Sequence, residues 1–291
     1  MPLPRRWLTA CLVRYEGSTV LIDCGEGTQI TMRKTGWSFK SIDAICFTHF
    51  HGDHIGGLPG MLLTIGNAGR TEPLLLIGPK SLRRIVEGLL LIAPDLPFPI
   101  EYHEIAGEGE EILVNGIHIL PFRADHGVPC WGYRVEIHRL PKFDPARARQ
   151  QEIPLAFWKH LQQGETVRDG ETVYTPDMVL GEARKGLVFC YCTDSRPKDT
   201  IIEGAKEADL FICEGMYGDP EKRSSAKEKK HMTYQEAARL ASGANVKELW
   251  LTHYSPSVVD PNQFLDLARD IFPNTHICRD RKETTLRFID E

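Results

Sequence analysis

Short apolar runs bounded by glycine, proline and polar turns set the rhythm of this chain. Thr9 to Tyr15 and Ser18 to Cys24 flank Glu16-Gly17 and predict an opening hairpin. A short helix is expected over Thr28 to Lys34, ending at Gly36, before a strand over Ile42 to Phe47. Ile55 to Ile65 predicts a glycine-interrupted helix, Leu74 to Ile77 a strand, and Lys80 to Ile92 an amphipathic helix behind Gly78-Pro79. Strands follow around Ile100-Glu101-Tyr102, Glu111 to Val114, Ile117 to Phe122 and Trp131 to Ile137.

Residues from about 139 to 186 break that rhythm. Arg139-Leu140-Pro141, Asp144-Pro145, Ile153-Pro154, Gly164, Gly170 and Thr175-Pro176 punctuate the stretch, and Leu155 to Gln162 is its one good helix candidate. It reads as an inserted arm within a single domain spanning 1–291. The alternation resumes with strands over Leu187 to Tyr191, Leu210 to Cys213 and Glu248 to Thr252, and helices over Lys198 to Glu207, Tyr234 to Ser242 and Asn262 to Ile271. Closing strands are expected at Thr275 to Cys278 and Thr284 to Phe288, and the sequence shows no internal repeat.

The densest chemistry follows the apolar run Asp43-Ala44-Ile45-Cys46-Phe47, where His49-Phe50-His51-Gly52-Asp53-His54 has the spacing H-x-H-x-D-H. Side chains two apart on a strand share a face, so His49 and His51 are expected to chelate one ion. In the turn beyond, Asp53 and His54 would swing toward a second. Zinc takes imidazole nitrogen and carboxylate oxygen and keeps a position for water at catalytic sites, so a dinuclear pair holding a hydroxide is expected. A polar loop with chance histidines is the plainer alternative, and four ligand-capable residues in six positions weigh against it. Other such groups stand where strands are expected to end: Asp125-His126 after Phe122, Asp194 after Cys192, and His253 after Thr252. In layered α/β folds function collects at strand ends, because the sheet fixes positions while loops carry the chemistry.

With 42% hydrophobic and 26% charged residues, and no apolar run near the ~20 residues that span a bilayer, the chain reads as soluble, with no membrane partner. Its opening Met1-Pro2-Leu3-Pro4-Arg5-Arg6-Trp7 lacks the apolar core of a signal peptide, so a cytoplasmic location is expected. A net charge of −5 gives no general attraction for a polyanion, and any nucleic-acid affinity must come from local basic patches. Eight cysteines lie scattered in apolar segments and are expected to be reduced core residues; Cys190-Tyr191-Cys192 is C-x-C rather than C-x-x-C.

The order H-x-H-x-D-H, His126, Asp194, His253 resembles the metallo-β-lactamase superfamily, whose fold packs two β-sheets between outer helices. Three longer words narrow the likeness. Asp23-Cys24-Gly25-Glu26-Gly27-Thr28-Gln29, Thr48-His49-Phe50-His51-Gly52-Asp53-His54-Ile55-Gly56-Gly57-Leu58-Pro59-Gly60 and Asp125-His126-Gly127-Val128-Pro129-Cys130-Trp131-Gly132-Tyr133 resemble ribonuclease Z, the endonuclease family that trims the 3′ trailer from precursor tRNA.

That resemblance runs over essentially the whole chain and implies an α/β fold, an αββα sandwich with an inserted exosite-like arm at 139–186. It implies one zinc (Zn2+) on His49, His51 and His126, a second on Asp53, His54 and His253, and Asp194 bridging both. Two cations about 3.5–4 Å apart would hold a hydroxide at low pKa and clamp a phosphodiester for in-line attack. Mn2+ and Fe2+ are the competing metals. Asp53 is also expected to act as general base or to orient the nucleophile. Asp23 would support a ligand imidazole from behind or cap the Gly25-Glu26-Gly27 turn. Zinc β-lactamases place a cysteine near Cys192, but the hard oxygens of Asp53 and Asp194 suit phosphoester hydrolysis better than a thiolate would, and Cys192 is expected in the core.

Cys213-Glu214-Gly215-Met216 and His231-Met232-Thr233 stand where the family has its H-E-A-T and H-S-T segments. The resemblance implies that Glu214 orients His231, which donates a proton to the departing 3′ oxygen; more plainly, Thr233 is a good N-cap for the helix from Tyr234. Glu221 to Lys230 carries five cations, and Lys227, Lys229 and Lys230 are candidate substrate contacts, with a solvated mobile loop as the plainer alternative. In the family the arm grips the tRNA elbow. Here it lacks the usual Gly-Pro pairs, and Lys142, Arg147, Arg149, Lys159 and Arg168 are offset by nearby acids. The resemblance also implies a homodimer, and a strand with a Gly-Thr-Gly loop ahead of the opening segment, so the first strand is expected to be missing through an internal start or truncation. A small-molecule phosphodiesterase or arylsulfatase-like hydrolase on the same fold is the alternative function, since metal ligands alone do not choose a substrate.

Overall fold

The fold is seen in a computed structural model that describes residues 3, 6–93 and 95–289. The expectation about the opening segment falls largely on positions 1, 2, 4 and 5, which lie outside the described residues. Two compact units emerge, one of residues 1–136 and 188–285, the other of 137–187 and 286–291.

Among the described residues the strands are β1 (Cys11–Tyr15), β2 (Ser18–Ile22), β3 (Ile42–Cys46), β4 (Leu74–Gly78), β5 (Ile100–Glu104), β6 (Ile112–Val114), β7 (Ile117–Arg123), β8 (Trp131–Ile137), β9 (Val167–Asp169), β10 (Thr172–Tyr174), β11 (Leu187–Cys192), β12 (Leu210–Glu214), β13 (Leu249–Thr252) and β14 (Thr275–Ile277). They form a five-stranded sheet in the order β1-β2-β3-β4-β5, a seven-stranded sheet in the order β14-β13-β12-β11-β8-β7-β6, and the small pair β10-β9. The neighbours β2-β3-β4-β5 and β11-β12-β13-β14 are parallel.

Parallel strands buried on both faces need apolar side chains in both directions, and both large sheets have them. In β2, β3 and β4, Leu21, Ile45, Leu74 and Leu76 pack against the helices Thr28–Thr35, Leu58–Asn67 and Leu82–Leu90, while Val20, Ile22, Ala44, Cys46 and Ile77 are buried on the other face. In β11, β12 and β13, Cys190, Cys192, Phe211, Cys213, Leu249 and Leu251 pack against the helices Asp199–Ala205, Tyr234–Gly243 and Leu265–Arg269. Tyr133, Tyr191, Ile212 and Trp250 are buried on the opposite face, and the Tyr133 hydroxyl donates to Phe47 O at 2.6 Å across the two sheets. The result is helix, sheet, sheet, helix. Each such aliphatic or aromatic side chain contributes about 1.5–3 kcal/mol on burial.

Several local expectations are corrected. The helix expected over Ile55 to Ile65 is a single turn, Gly52–Ile55, followed by Leu58–Asn67 with Pro59 in its first turn. Thr284 to Phe288 forms no strand: from Leu286 on the chain belongs to the second unit, where Arg139 lies over the Phe288 ring and donates to Ile289 O. The arm region has more order than its punctuation suggested. Asp144 caps a helix Pro145–Gln150 by accepting from Ala146 N and Arg147 N, β9 and β10 form a hairpin around Gly170, and Ala148, Ile153, Leu161 and Val179 make a small core. The basic stretch is likewise a turn at Pro220–Lys222 and a helix at Arg223–Glu228. No helix among the described residues is long and apolar enough to cross a membrane.

Candidate metal centre

Four strand ends build the centre. After β3, Phe47 N still donates to Ile77 O, but Thr48 N donates instead to Asp23 Oδ1 at 2.8 Å, and the ladder stops. His49 and His51 therefore stand in a loop, not on the pleated strand expected for them, and it is the loop that brings His49 Nε2 and His51 Nδ1 to 2.9 Å. Asp53 and His54 follow in the turn Gly52–Ile55. That turn is seated against the Asp23–Gly27 loop through Cys24 N to His54 O and Gly57 N to Cys24 O. The approach requires glycine: a Cβ on Gly57 would sit 2.4 Å from Gly25 O.

His126 follows β7, Asp194 follows β11, and His253 follows β13. Asp194 and His253, like Asp23 after β2, have left-handed backbone (φ 53°, 55° and 59°). Such conformations cost about 1–3 kcal/mol each and persist where the surroundings over-determine them. Here they end a strand abruptly and turn a ligand-capable side chain inward.

Around Asp194 the side chains divide into two sets. Oδ2 lies 3.8 Å from both His49 Nε2 and His126 Nε2, and His126 Nε2 is 3.3 Å from His51 Nδ1. Oδ1 lies 3.2 Å from His54 Nε2 and 3.3 Å from His253 Nε2, and Asp53 Oδ2 is 3.8 and 3.5 Å from those same nitrogens. The ligand atoms of His49, His51, His126 and Asp194 lie within 4.8 Å of one another, as do those of Asp53, His54 and His253. His54 Nε2 and Asp194 Oδ1 are buried, and apart from the close approaches within this cluster neither has a hydrogen-bond partner. Buried polar atoms without partners are expensive, and an inward-facing cluster of imidazole nitrogens and carboxylate oxygens is a donor set for metal ions. The residues fit bound metal at this cluster.

Electrostatics separates the two sets. Burial opposes charge on His54, but the carboxylates of Asp194 and Asp23 outweigh it and raise its pKa well above the ordinary value. His253 is raised against burial by Asp194 and Asp53. Burial works against ionised Asp194, yet His253 and His54 hold its carboxyl well below the usual range, and the hydrogen bond with His253 does the same for Asp53. The same negative potential attracts a metal cation. His49 and His126 are pushed down by burial, toward the neutral imidazole that ligates metal.

Supporting contacts fix the rings. His54 Nδ1 meets Asp23 Oδ2 at 2.8 Å, His126 Nδ1 faces Lys230 O at 3.2 Å, and Thr48 Oγ1 lies 3.1 Å from His49 Nδ1. Holding the far nitrogen leaves the near one for the metal. Cys192 is buried among Cys190, Phe211 and Cys213 on the helix-facing side of its sheet.

Beside this set, His231 Nδ1 lies 3.0 Å from Glu214 Oε2 and 3.9 Å from Asp194 Oδ2. Glu214, at the end of β12, also accepts from Ser195 N. Burial and the Asp194 carboxylate raise Glu214 well above the usual carboxyl range, while burial lowers His231. Thr233 caps the helix Tyr234–Gly243 in a reciprocal capping box with Glu236, as expected. Lys227 and Lys229 are exposed, whereas Lys230 Nζ is 2.9 Å from Asp125 Oδ1. Sequence reasoning passed over Thr48, Ser195, Arg196 and Glu236, although Thr48 immediately precedes the first ligand histidine and Arg196 follows Asp194 by two residues.

A family model described as "Anti-Pycsar protein Apyc1" matches residues 4–91, less than half of the chain. A Lachnoclostridium phytofermentans protein named Ribonuclease Z is 56% identical over 288 residues, covering 99% of this chain and 95% of the relative. Among solved structures, human tRNase Z, short form, superposes with a TM-score of 0.67 at 24% identity, covering 96% of this chain and 92% of that one. The metallo-β-lactamase fold protein YhfI from Bacillus subtilis gives 0.66 at 19% identity, covering 96% and 91%. At these identities the two structures speak to the fold alone.

Proposed function

The chain belongs to the ribonuclease Z family, and from that premise we propose that the cluster around Asp194 is where it cleaves the 3′ trailer from precursor tRNA as a phosphodiester endonuclease. One observation carries the assignment of the centre: the two oxygens of a single buried carboxylate face two separate sets of ligand atoms. Two Zn2+ ions per subunit suit a set of five imidazoles and two carboxylates better than a site for magnesium, which prefers oxygen throughout. Bound there, the ions supply Lewis acidity toward the phosphate and lower the pKa of water. Asp53, held ionised, suits ligation and orientation of the attacking water more than proton storage.

The departing 3′ oxygen needs a proton as the P–O bond breaks and the water oxygen bonds to phosphorus. With Nδ1 bonded to Glu214, His231 Nε2 is the nitrogen that gives it. Burial favours the neutral form of both partners. Lys227 and Lys229 offer free charge for the RNA backbone, and Lys230 acts there together with Asp125. Residues 139–186 serve as the tRNA-gripping arm, consistent with a separate small core. The partners are precursor tRNA and a second copy of the chain; Ile30, Leu63, Leu91 and Ile92, exposed on or beside the helices that cover the five-stranded sheet, suit the latter. The site of action is the cytoplasm.

Metal-analysed protein should release the trailer from a precursor tRNA, and Asp194→Ala and His253→Ala should reduce cleavage to background. Metal-loaded native protein that leaves the RNA intact while hydrolysing a small aryl phosphodiester would replace this reading with the small-substrate one.

A further inference from the structure

We infer that Arg196 is a positioning residue, a gauge that sets His231 at its working distance from the metal centre; this rests on the proton-donor role proposed for His231. Arg196 Nη1 donates to His231 O at 2.5 Å and to Glu236 Oε2 at 3.0 Å, and Nη2 donates to Glu236 Oε1 at 2.6 Å. This is a fork on a carboxylate with a third bond to the backbone of the proton donor, a geometry lysine cannot reproduce. Glu236 is 5% exposed, and its Oε2 also accepts from Thr233 N at 2.9 Å, so the guanidinium is anchored to the cap that starts the helix after His231. Arg223 Nε comes within 3.5 Å of Glu236 Oε1, but that side chain is 73% exposed.

Arg196 is also tied to the metal side of the site. Its N–H donates to Asp125 O at 2.9 Å, beside His126, and the hydroxyl of Ser195 accepts from Asp125 N at 2.9 Å. The N–H of Ser195 holds Glu214. Three consecutive residues thus supply the shared carboxylate, the anchor for the group that orients His231, and the anchor for the His231 backbone. His231 is also held by its own N–H on Ala226 O, in the short helix Arg223–Glu228, and by its ring on Glu214. Without Arg196 the ring would keep its chemistry and lose its distance.

The test separates positioning from loss of structure by the leaving group. A ribose 3′ oxygen needs a proton to depart, whereas the phenolate of bis(p-nitrophenyl) phosphate leaves without one. Arg196→Gln is expected to lower kcat on precursor tRNA by about tenfold to a hundredfold, with KM and metal content held and turnover of the phenolate ester nearly unchanged. Arg196→Lys keeps the charge facing Glu236 and should show the same split at reduced size. His231→Ala provides the benchmark, with the same split and a larger loss. Equal loss on both substrates, loss of metal, or native rates in either Arg196 variant would overturn the inference while a split in His231→Ala leaves the proton donor standing. Absence of the split in His231→Ala overturns the proton-donor reading and this inference with it.

Discussion

Replacing Asp23 by asparagine isolates the support behind one ligand from the ligands themselves. Asp23 is fully buried; Oδ1 accepts from Thr48 N at 2.8 Å, and Oδ2 meets Thr48 Oγ1 at 2.9 Å and His54 Nδ1 at 2.8 Å. With His54 Nε2 given to a metal ion, Nδ1 would carry the ring proton toward Asp23. An asparagine that keeps the Thr48 N–H on its carbonyl must turn its NH2 toward that proton, so two donors oppose each other. The charge-assisted bond lost is worth about 1.5–3 kcal/mol. At about 1.4 kcal/mol per decade this is roughly tenfold to a hundredfold in metal affinity, the range seen when supports behind metal ligands are removed. The larger loss should fall on the cation proposed at Asp53, His54 and His253, because Asp23 meets His54 Nδ1 directly and reaches His49 Nδ1 only through Thr48 Oγ1. Titrating metal-depleted protein with Zn2+ against a chromophoric chelator resolves the two equivalents, and circular dichroism reports retention of the fold. Two equivalents at native affinity, or equal weakening of both, would refute the reasoning.

Two further outcomes concern stability. Burial opposes ionisation of Glu236, but Arg196 and the Thr233 N–H outweigh it and hold the carboxyl below its ordinary value of 4.5. A depressed folded pKa contributes stability that is full above the ordinary value and is lost as pH falls through the folded one, so Glu236→Gln should cost about 1–3 kcal/mol at pH 7 in urea denaturation, with the gap to the native protein narrowing as pH falls below 4.5; a constant gap would count against the ion pair. Arg70, 4% exposed, donates to the carbonyls of Lys40, Ile42, Glu72 and Pro73 at the entries to β3 and β4. Arg70→Met should cost about 3–5 kcal/mol by denaturant midpoint, and a loss under about 1 kcal/mol would show that those carbonyls find other partners.

Much of this was legible because parallel strands and their helices announce themselves in short apolar runs, and strand ends are where ligands collect. The order of His49, His51, Asp53, His54, His126, Asp194 and His253 pointed to one site, and the structure places all seven together. What periodicity could not convey was the backbone there. The pleat rule put His49 and His51 on a strand, whereas capture of Thr48 by Asp23, 25 residues earlier, ends the strand first. Asp144-Pro145 reads as a turn and hides the helix Pro145–Gln150, although Asp before Pro is equally a cap followed by a first helical residue. Arg196 and Glu236 meet only in three dimensions, and no spacing along the chain marks a guanidinium that will find a carbonyl 35 residues away.

His49, His51, Asp53 and His54 hang from the five-stranded sheet, while His126, Asp194 and His253 hang from the seven-stranded one. Metal joined to both halves would therefore act as a rivet through the sandwich. An unfolded chain offers no such pair of sites, so free energy of ligation becomes free energy of folding, about 2.7 kcal/mol for each ion at a hundredfold excess over its Kd. Starving the cell of metal would then do more than silence the enzyme: it would loosen the seam between its halves and expose the chain to proteolysis.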